Sequence, residues 1–573
     1  MQKSSNHKLL YIILFVLTAC NLLYMHYSIV IYKEVPLDFT SIFDNLTGIL
    51  CDLILLYSIL LIIFKGRIKP SLLIGFIIAW AWAFSNIIYS RFFFQYISLS
   101  SVGQVGNLLD TIIIECIIDS FKWKDLFFIA NALFFWWGYN YVMPLKLSPR
   151  GFLKNIGIAI LSVIAITIIT TTIYCIIEPP LRSIGYISHH LYTHHFDLYR
   201  NSANPNWTHF QRGSIRTLLH PFINKVINPT RLSSDQKMLI SNLASNQEGK
   251  TTSNVNTNAV NVIFIIVESY LSVTSDLFVN GQEITPNLNR LKRDSMVYYN
   301  GNIKSNITIG ESGDGQFICM TGILPLRSEI TVGRAKDVVL PGLPKVLAKR
   351  LALYTRMLIP TTPSMWEQEN MCKQYGINQL SSCKDFNQNS QDLNDKQIFS
   401  YLQQLDKNSK KPFFSLVLTM SMHQPYTNSP DPSFNIRSSN LSKEYANYLN
   451  ACHYTDKQIG SYIDFLKKTG LYEKSLIIIT ADHHPNQNSL NVKDISSDIP
   501  LYIINANYNK DSVVRGKCNQ LDIYTTVLDI LIKDSLKWRG LGQSLFSPVY
   551  KNSLSPKTWD VSEWILQDNY FNK

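Results

Sequence analysis

Three stretches of this sequence carry side chains that can do chemistry, and two of them directly follow apolar runs. Glu268 comes after NVIFIIV (Asn261–Val267), and Asp482-His483 come after SLIIITA, which begins at Ser475. Two carboxylates and one imidazole supply hard oxygens and a borderline nitrogen, a donor set that suits zinc or manganese. One acid at the end of a strand is ordinarily a helix cap. Two at matching strand ends, far apart in the chain, point to a shared ligand. Between them lies TIGESGDGQF (Thr308–Phe317), with Ser312 at its centre. The glycines permit tight turning and the apolar residues beyond can start a helix. Ser312 then stands at a helix N-terminus, where amide donors and the dipole favour an alkoxide or a phosphate. Gly/Ser/Asp segments are also common surface turns, so the residues alone leave both readings open. His484, next to the Asp-His pair, is a candidate for contact with substrate or for support behind His483.

The elements that must position these groups are legible from Val260 onward. Strands are predicted at Asn261–Val267, Phe413–Leu418, Ser475–Thr480 and Leu501–Ile504, and helices over Pro286–Asp294, Gly342–Leu351 and Tyr445–Lys468. Continuous β-branched runs separated by helices predict an α/β domain with a buried, mostly parallel central sheet. In such folds the working residues gather beyond the carboxyl ends of the strands. His453 and Asp456 lie on the longest predicted helix and are assigned to packing or surface contacts. The nine cysteines show no CxxC and no Cys/His zinc spacing. If this part is exported, proximity makes Cys372 and Cys383 the expected disulfide partners.

The chain has 573 residues, of which 46% are hydrophobic, and its apolar residues crowd into the first third. A membrane span needs about 20 apolar residues. Five candidates meet or approach that: Leu9–Ile29, Ile49–Phe64, Leu72–Tyr89, Leu126–Val142 and Phe152–Ile176. Asn131, Gly138 and Asn140 make the fourth the weakest. A further run, Leu108–Ile118, contains Asp110 and Glu115 and suits an interfacial or bundle-packed helix. Lys3 and Lys8 precede the first span; Lys65, Arg67 and Lys69 join the second to the third; Lys146, Arg150 and Lys154 join the fourth to the fifth. With alternating spans these cations share one side, which the positive-inside rule makes cytoplasmic, so everything past Ile177 is expected outside.

Prolines 179 and 180 end the fifth span. The expected domains are therefore a five-helix transmembrane bundle at 1–177, an interfacial connector and polar linker at 178–258, the α/β domain at 259–548 and a tail at 549–573. In the connector, His189, His190, His194 and His195 crowd together. His190 and His194, at i and i+4, could hold a metal, while aromatics and cations around them also fit a membrane surface. Net charge is +12, from 53 Lys+Arg against 41 Asp+Glu. No dense Lys/Arg run with interleaved aromatics appears, so nucleic acid is not the expected partner.

The ordered set NVIFIIVES, GESGDGQF, TMSMHQPY and ITADH after five spans resembles the lipoteichoic acid synthase group. That group lies in the sulfatase (alkaline-phosphatase-like) superfamily and is related to phosphoglycerol and lipid A phosphoethanolamine transferases. TPNL at Thr285, the helix around Tyr454–Asp456, DIPLY at Asp498, QLDIYTT at Gln520 and RGLGQSL at Arg539 extend the likeness over residues 260–546. The resemblance implies a divalent metal, Mn or Zn with Mg as a third possibility, held by Glu268, Asp482, His483 and the nucleophile Ser312. The family usually has threonine at that position; serine keeps the hydroxyl. It also implies that His423 works near the transferred group and that Trp366 binds the head group. The arginine that the synthases carry two residues after that tryptophan is Gln368 here.

The expected activity is transfer of a phosphoglycerol head group from phosphatidylglycerol in the membrane to an envelope polymer, lipid or polysaccharide, through a covalent phosphoserine, by a monomer in the bacterial cytoplasmic membrane. Phosphoethanolamine transfer is the alternative. Relatives acting on lipid A carry a further histidine after the Asp-His pair, and HPNQNSLNVKDI lacks it. A sulfatase would need C/S-x-P-x-R around the nucleophile, and neither Ser312 nor Cys319 stands in that pattern. A non-catalytic envelope protein is the remaining class, and all four ligand positions hold competent side chains.

Overall fold

The structure, a computed structural model, describes residues 2–31, 39–93, 96–97, 120–183, 205–218, 232–245 and 255–572, apart from 328, 386–392, 430, 432, 438–439, 486–489, 493–494, 510–512 and 553. The Leu108–Ile118 run and the His189–His195 cluster lie outside the described residues. The chain divides into two compact units, with the change at residue 230.

In the first unit, helices Gln2–Ile31, Phe39–Ile63, Ile68–Phe93, Leu126–Tyr141 and Pro149–Ser183 stand at the five predicted spans, the last continuing past Pro179 and Pro180, which were expected to end it. Leu9–Ile29, Ile42–Ile63 and Ile68–Arg91 are long and apolar enough to cross a membrane. The fourth helix has 16 residues, about 24 Å against a hydrocarbon core of about 30 Å. Two of its interruptions, Asn131 and Gly138, face the first helix, while Asn140 is exposed. Asn131 Nδ2 donates to Leu17 O at 2.9 Å and to Asn21 Oδ1 at 2.7 Å. A Cβ on Gly138 would lie 3.1 Å from Leu14 Cδ2. Small and amide side chains at a helix–helix seam are what close packing in lipid selects. They weaken the apolar count because they are spent on the neighbouring helix. Two basic loops also meet. Arg67 bridges Lys146, Ile68 N–H donates to Leu145 O at 3.0 Å, and Lys69 Nζ donates to Val142 O at 2.8 Å. The cations joining spans two and three therefore share one end of the unit with Lys146.

The second unit is built on an eight-stranded sheet. Its strands are β1 (Asn261–Val267), β4 (Val297–Lys304), β5 (Tyr354–Leu358), β6 (Gln379–Ser381), β7 (Phe413–Leu418), β8 (Ser475–Ala481), β9 (Ile499–Ile504) and β10 (Cys518–Asn519), with Phe278–Val279 and Gln282–Glu283 forming a separate hairpin, β2–β3. The order is β10-β4-β9-β8-β1-β7-β5-β6. The block from β8 to β6 is parallel, whereas β9 runs antiparallel to both β8 and β4. β1 and β8 are buried along their whole lengths, as expected for central strands covered on both faces. β1 pairs with β8 through Val267↔Ala481 and with β7 through Ile266↔Leu418. Three loops thus leave the sheet side by side at one edge.

The core reaches beyond the expected domain limits. Leu232, Ile240 and Val255, placed in the connector by sequence, belong to it, as do Val561, Ile565 and Leu566 of the C-terminal helix Pro556–Gln567. The expected Cys372–Cys383 disulfide is corrected: both residues are buried and neither is in a disulfide, and Cys372 Sγ faces Met357 Sδ at 3.4 Å.

Asp456, on the helix Lys443–Lys468, does more than fill space. Its carboxylate accepts from Asn287 N at 3.0 Å, Asn287 Nδ2 at 2.8 Å and Leu288 N at 2.7 Å. It thereby caps the helix Pro286–Arg293, whose own leading residue Thr285 makes no cap bond. Asp456→Ala should lower the unfolding free energy by about 1–2 kcal/mol, read from the denaturant midpoint. An unchanged midpoint contradicts the capping role.

Candidate active site

Glu268, Asp482 and Thr419 are the first residues past β1, β8 and β7, so the register that pairs the strands also sets their spacing. Glu268 N–H donates to Thr419 Oγ1 at 3.0 Å. Asp482 Oδ1 accepts from Ser269 N at 2.9 Å and from His483 N at 2.7 Å, which turns Oδ2 toward the His483 ring. Ser269 Oγ donates to Glu268 Oε1 at 2.8 Å. Ligand atoms of Glu268, Asp482 and His483 all lie within 4.8 Å of one another, and all three residues are buried.

Ser312 enters this group from the helix Glu311–Thr321. Its Oγ lies 3.2 Å from Glu268 Oε2 and 3.1 Å from His483 Nε2. Three glycines in GESGDGQ make that approach possible, each against a different neighbour. A Cβ on Gly310 would fall 2.3 Å from Asp314 Oδ1, one on Gly313 would fall 3.2 Å from Trp366 Cε3, and one on Gly315 would fall 2.1 Å from Asp482 O. Asp314 Oδ2 gathers Thr308 N at 2.9 Å, Thr308 Oγ1 at 2.8 Å and Gly310 N at 2.9 Å, fixing the loop that enters the helix. Gln520 Nε2 donates to Asp482 O at 2.6 Å, so the same carbonyl is held from the other side.

Three histidines share one arrangement. His423, His483 and His484 each donate Nδ1–H to the carbonyl of the next residue, at 2.6, 2.8 and 3.0 Å. That leaves Nε2 as the working nitrogen of each ring, and a backbone carbonyl behind a ring is the usual support of a metal-binding imidazole. Asp395 Oδ1 accepts from Met420 N at 2.8 Å and Ser421 N at 3.0 Å, which holds the loop presenting His423.

The electrostatics call for a cation. Burial, and then the charge of Glu268, push the Asp482 carboxyl well above its ordinary range. Burial opposes an imidazolium at His483, yet Asp482 and Glu268 outweigh it and hold that ring above its ordinary value. A proton on His483 Nε2 would be donated to Ser312 Oγ while Ser312 donates to Glu268, so a positive charge is already wanted where these atoms meet. A divalent ion fits the same set of two carboxylates, one imidazole and one hydroxyl.

The sequence candidates thus separate. Glu268, Ser312, Asp482 and His483 converge. His423 is close enough to feel the charges of His483 and Asp482. Trp366 covers Gly313, next to the serine. His484 adjoins His483 through the backbone. Gln368 turns away into the core, where it bonds Gln316. Sequence reasoning missed Ser269, Asp314, Asp395, Thr419 and Gln520. Ser269 and Asp314 flank named candidates, and Thr419 and Gln520 open the TMSMHQPY and QLDIYTT stretches, so each left a signal; Asp395 left none. Glu311, whose Oε2 lies 3.8 Å from His483 Nδ1, was also passed over.

The sulfatase family profile matches residues 260–532. A lipoteichoic acid synthase of Staphylococcus saprophyticus is 22% identical over 96% of this chain and 86% of its own length. Lipoteichoic acid synthase 2 of Bacillus subtilis is 24% identical over 87% of this chain and 78% of its own. The integral membrane protein lipooligosaccharide phosphoethanolamine transferase A of Neisseria meningitidis shares the fold, with a TM-score of 0.53 at 12% identity over 93% of this chain and 98% of that one. Residues 260–532 thus form a sulfatase-family domain behind apolar N-terminal helices, and the chain as a whole is similar to the lipoteichoic acid synthases and related phosphotransferases of the sulfatase (alkaline-phosphatase-like) superfamily.

Proposed function

We propose that this chain, a membrane phosphotransferase, moves a phosphoglycerol head group from phosphatidylglycerol onto an envelope polymer or glycan through a covalent phosphoserine at Ser312. The observation that carries this reading is the Ser312 hydroxyl at 3.1–3.2 Å from both His483 and Glu268, at the mouth of three parallel strands. The proposal places the protein in the bacterial cytoplasmic membrane with the α/β domain outside, where a lipid head group and an envelope hydroxyl are both within reach. The meeting of the two basic loops at one end of the helical unit supports that orientation.

A divalent ion held by Glu268, Asp482, His483 and Ser312 would lower the serine pKa and polarise a phosphoryl oxygen; Mn, Zn and Mg are the candidates. The chain's own residues do the rest. Ser312 Oγ gives up its proton to Glu268 Oε2, to which it already donates, and bonds to phosphorus, while the bond from phosphorus to the diacylglycerol oxygen breaks. An acceptor hydroxyl then displaces the serine. The two halves are near mirror images, so one group serves the departing oxygen in the first and the entering oxygen in the second. His423, with Nδ1–H committed to Gln424 O, has Nε2 available for that proton. Trp366 offers a face beside the nucleophile for the glycerol, and His484 borders the same mouth.

One observation favours phosphoethanolamine as a second head group: Gln368, where the synthases carry arginine, is buried against Gln316 and presents no charge to a glycerol phosphate. Assays with labelled phosphatidylglycerol and phosphatidylethanolamine separate the two, and transfer from the latter alone excludes phosphoglycerol.

Ser312→Ala should abolish head-group transfer while leaving the fold intact. Near wild-type turnover in that variant refutes the nucleophile. Gly315→Ala drives a methyl into Asp482 O and should cost about 1–3 kcal/mol of stability together with most activity. Gly516→Ala, with open space around its Cβ, is the matched neutral control. Equal stability of the two variants would show that the nucleophile helix does not need its close approach.

A further inference from the structure

Trp366 and Glu367 are consecutive non-glycine residues with φ of 49° and 55°, both in the left-handed region. A turn of that kind persists only where its surroundings hold it. Glu367 is tied to Lys336 Nζ at 2.9 Å and to Asn370 Nδ2 at 2.8 Å, while Gln374 Nε2 donates to Lys336 O at 2.7 Å. A further tie runs from the next residue to the nucleophile helix. Gln316 Nε2 donates to Gln368 Oε1 at 3.1 Å and Gln368 Nε2 donates to Gln316 Oε1 at 2.8 Å. The two side chains are 2% and 4% exposed, so the reciprocal amide pair is closed off from water. Gln316 follows Ser312 at i+4, one turn further along the same helix face. Trp366 meanwhile lies against Gly313. One helix therefore carries the nucleophile, the floor under the tryptophan ring and the anchor of the tryptophan turn.

We infer that the Gln316–Gln368 pair is a latch that fixes the Trp366 ring over the residue beside Ser312 and thereby sets how a phospholipid head group is held. The inference rests on the head-group transfer proposed above and deepens it. Gln316 and Gln368 are positioning residues; neither touches the reacting atoms. Apolar side chains of equal length could fill the same space, but they would leave the two segments free to rotate against each other. A reciprocal pair of amide hydrogen bonds permits one relative orientation. Loss of the latch should loosen the grip on the donor and leave the chemistry at Ser312 alone.

The test uses the full chain in detergent with Gln316→Ala, Gln368→Ala and the double Gln316→Met/Gln368→Met. The double variant keeps the volume and leaves no orphaned amide, so it serves where a single variant fails to fold. Two quantities are read. Hydroxyl-radical oxidation of the Trp366 peptide, followed by mass spectrometry, reports whether the ring is released. The dependence of Ser312 adduct formation on phospholipid concentration reports donor binding apart from the maximal rate. Every folded variant should oxidise Trp366 several-fold faster and need about tenfold more donor for half-saturation, with the maximal rate kept within about twofold. A purely structural role would lower the folded fraction and leave the half-saturation point where it was. Unchanged Trp366 oxidation in a folded variant, or a loss confined to the maximal rate, overturns the latch. Should the wild-type chain form no adduct with either lipid, the transfer reading fails, and the oxidation rates still decide whether the latch exists.

Discussion

Glu268 and Asp482 are buried carboxylates placed side by side by the pairing of adjacent parallel strands, and a positive charge between them offsets the repulsion of two negative charges held that close. Their ligand atoms lie within 4.8 Å. At an effective dielectric of about 20, two unit charges at that distance repel by about 3–4 kcal/mol. Burial of both adds to the cost and lifts the Asp482 carboxyl, while His483 is drawn toward its charged form. The sheet absorbs this because β1 and β8 bury every residue along their lengths. Their register, Val267↔Ala481, leaves the acids that follow no other place to go. A cation at this point resolves the repulsion, and Ser312 is held where it would share that charge.

The surroundings of that point are strained in a consistent way. Ser269, Glu311, Trp366, Glu367 and Tyr426 are non-glycine residues with positive φ, at 51°, 42°, 49°, 55° and 67°. They follow Glu268, precede Ser312, carry the tryptophan turn and follow the His423 loop. Each such backbone costs on the order of 1–3 kcal/mol and is kept where the neighbours over-determine it. Here the neighbours are hydrogen bonds from Asp314, Asp395, Gln520 and the Gln316–Gln368 pair. The parts that touch substrate in the proposed reaction are loops and the first turn of one helix, and these bonds give them the definition of a sheet edge.

How much was legible in the sequence follows from which interactions are local. β1, β7 and β8 are continuous apolar runs, so they stood out, and strand-end logic led from them to Glu268 and Asp482-His483. β4 reads VYYNGNIK and β5 reads YTRML, with polar residues that break the pattern. Arg356 sits buried in β5 because Asp406 and Ser415 partner it from other elements, with Tyr462 bonding Asp406 in turn. No local rule discloses that. The domain limits were drawn where polarity rose, yet Leu232, Ile240 and the helix Pro556–Gln567 bury single apolar faces within otherwise polar stretches. The disulfide expectation failed because nearness in sequence does not align two Cβ vectors. Asp456 was assigned to packing because the helix it caps lies far away in sequence. Ser312 could be told from a turn serine only by the motif order around it, and the residues that aim it were invisible for the same reason as Arg356.

Crystals of residues 230–573 grown with manganese or zinc, measured at the absorption edge of that metal, test the account at its centre. One anomalous peak is predicted, within about 2.0–2.3 Å of carboxylate oxygens of Glu268 and Asp482, of His483 Nε2 and of Ser312 Oγ. Density without a peak there, or a peak elsewhere with the serine hydroxyl turned from the acids, would contradict it.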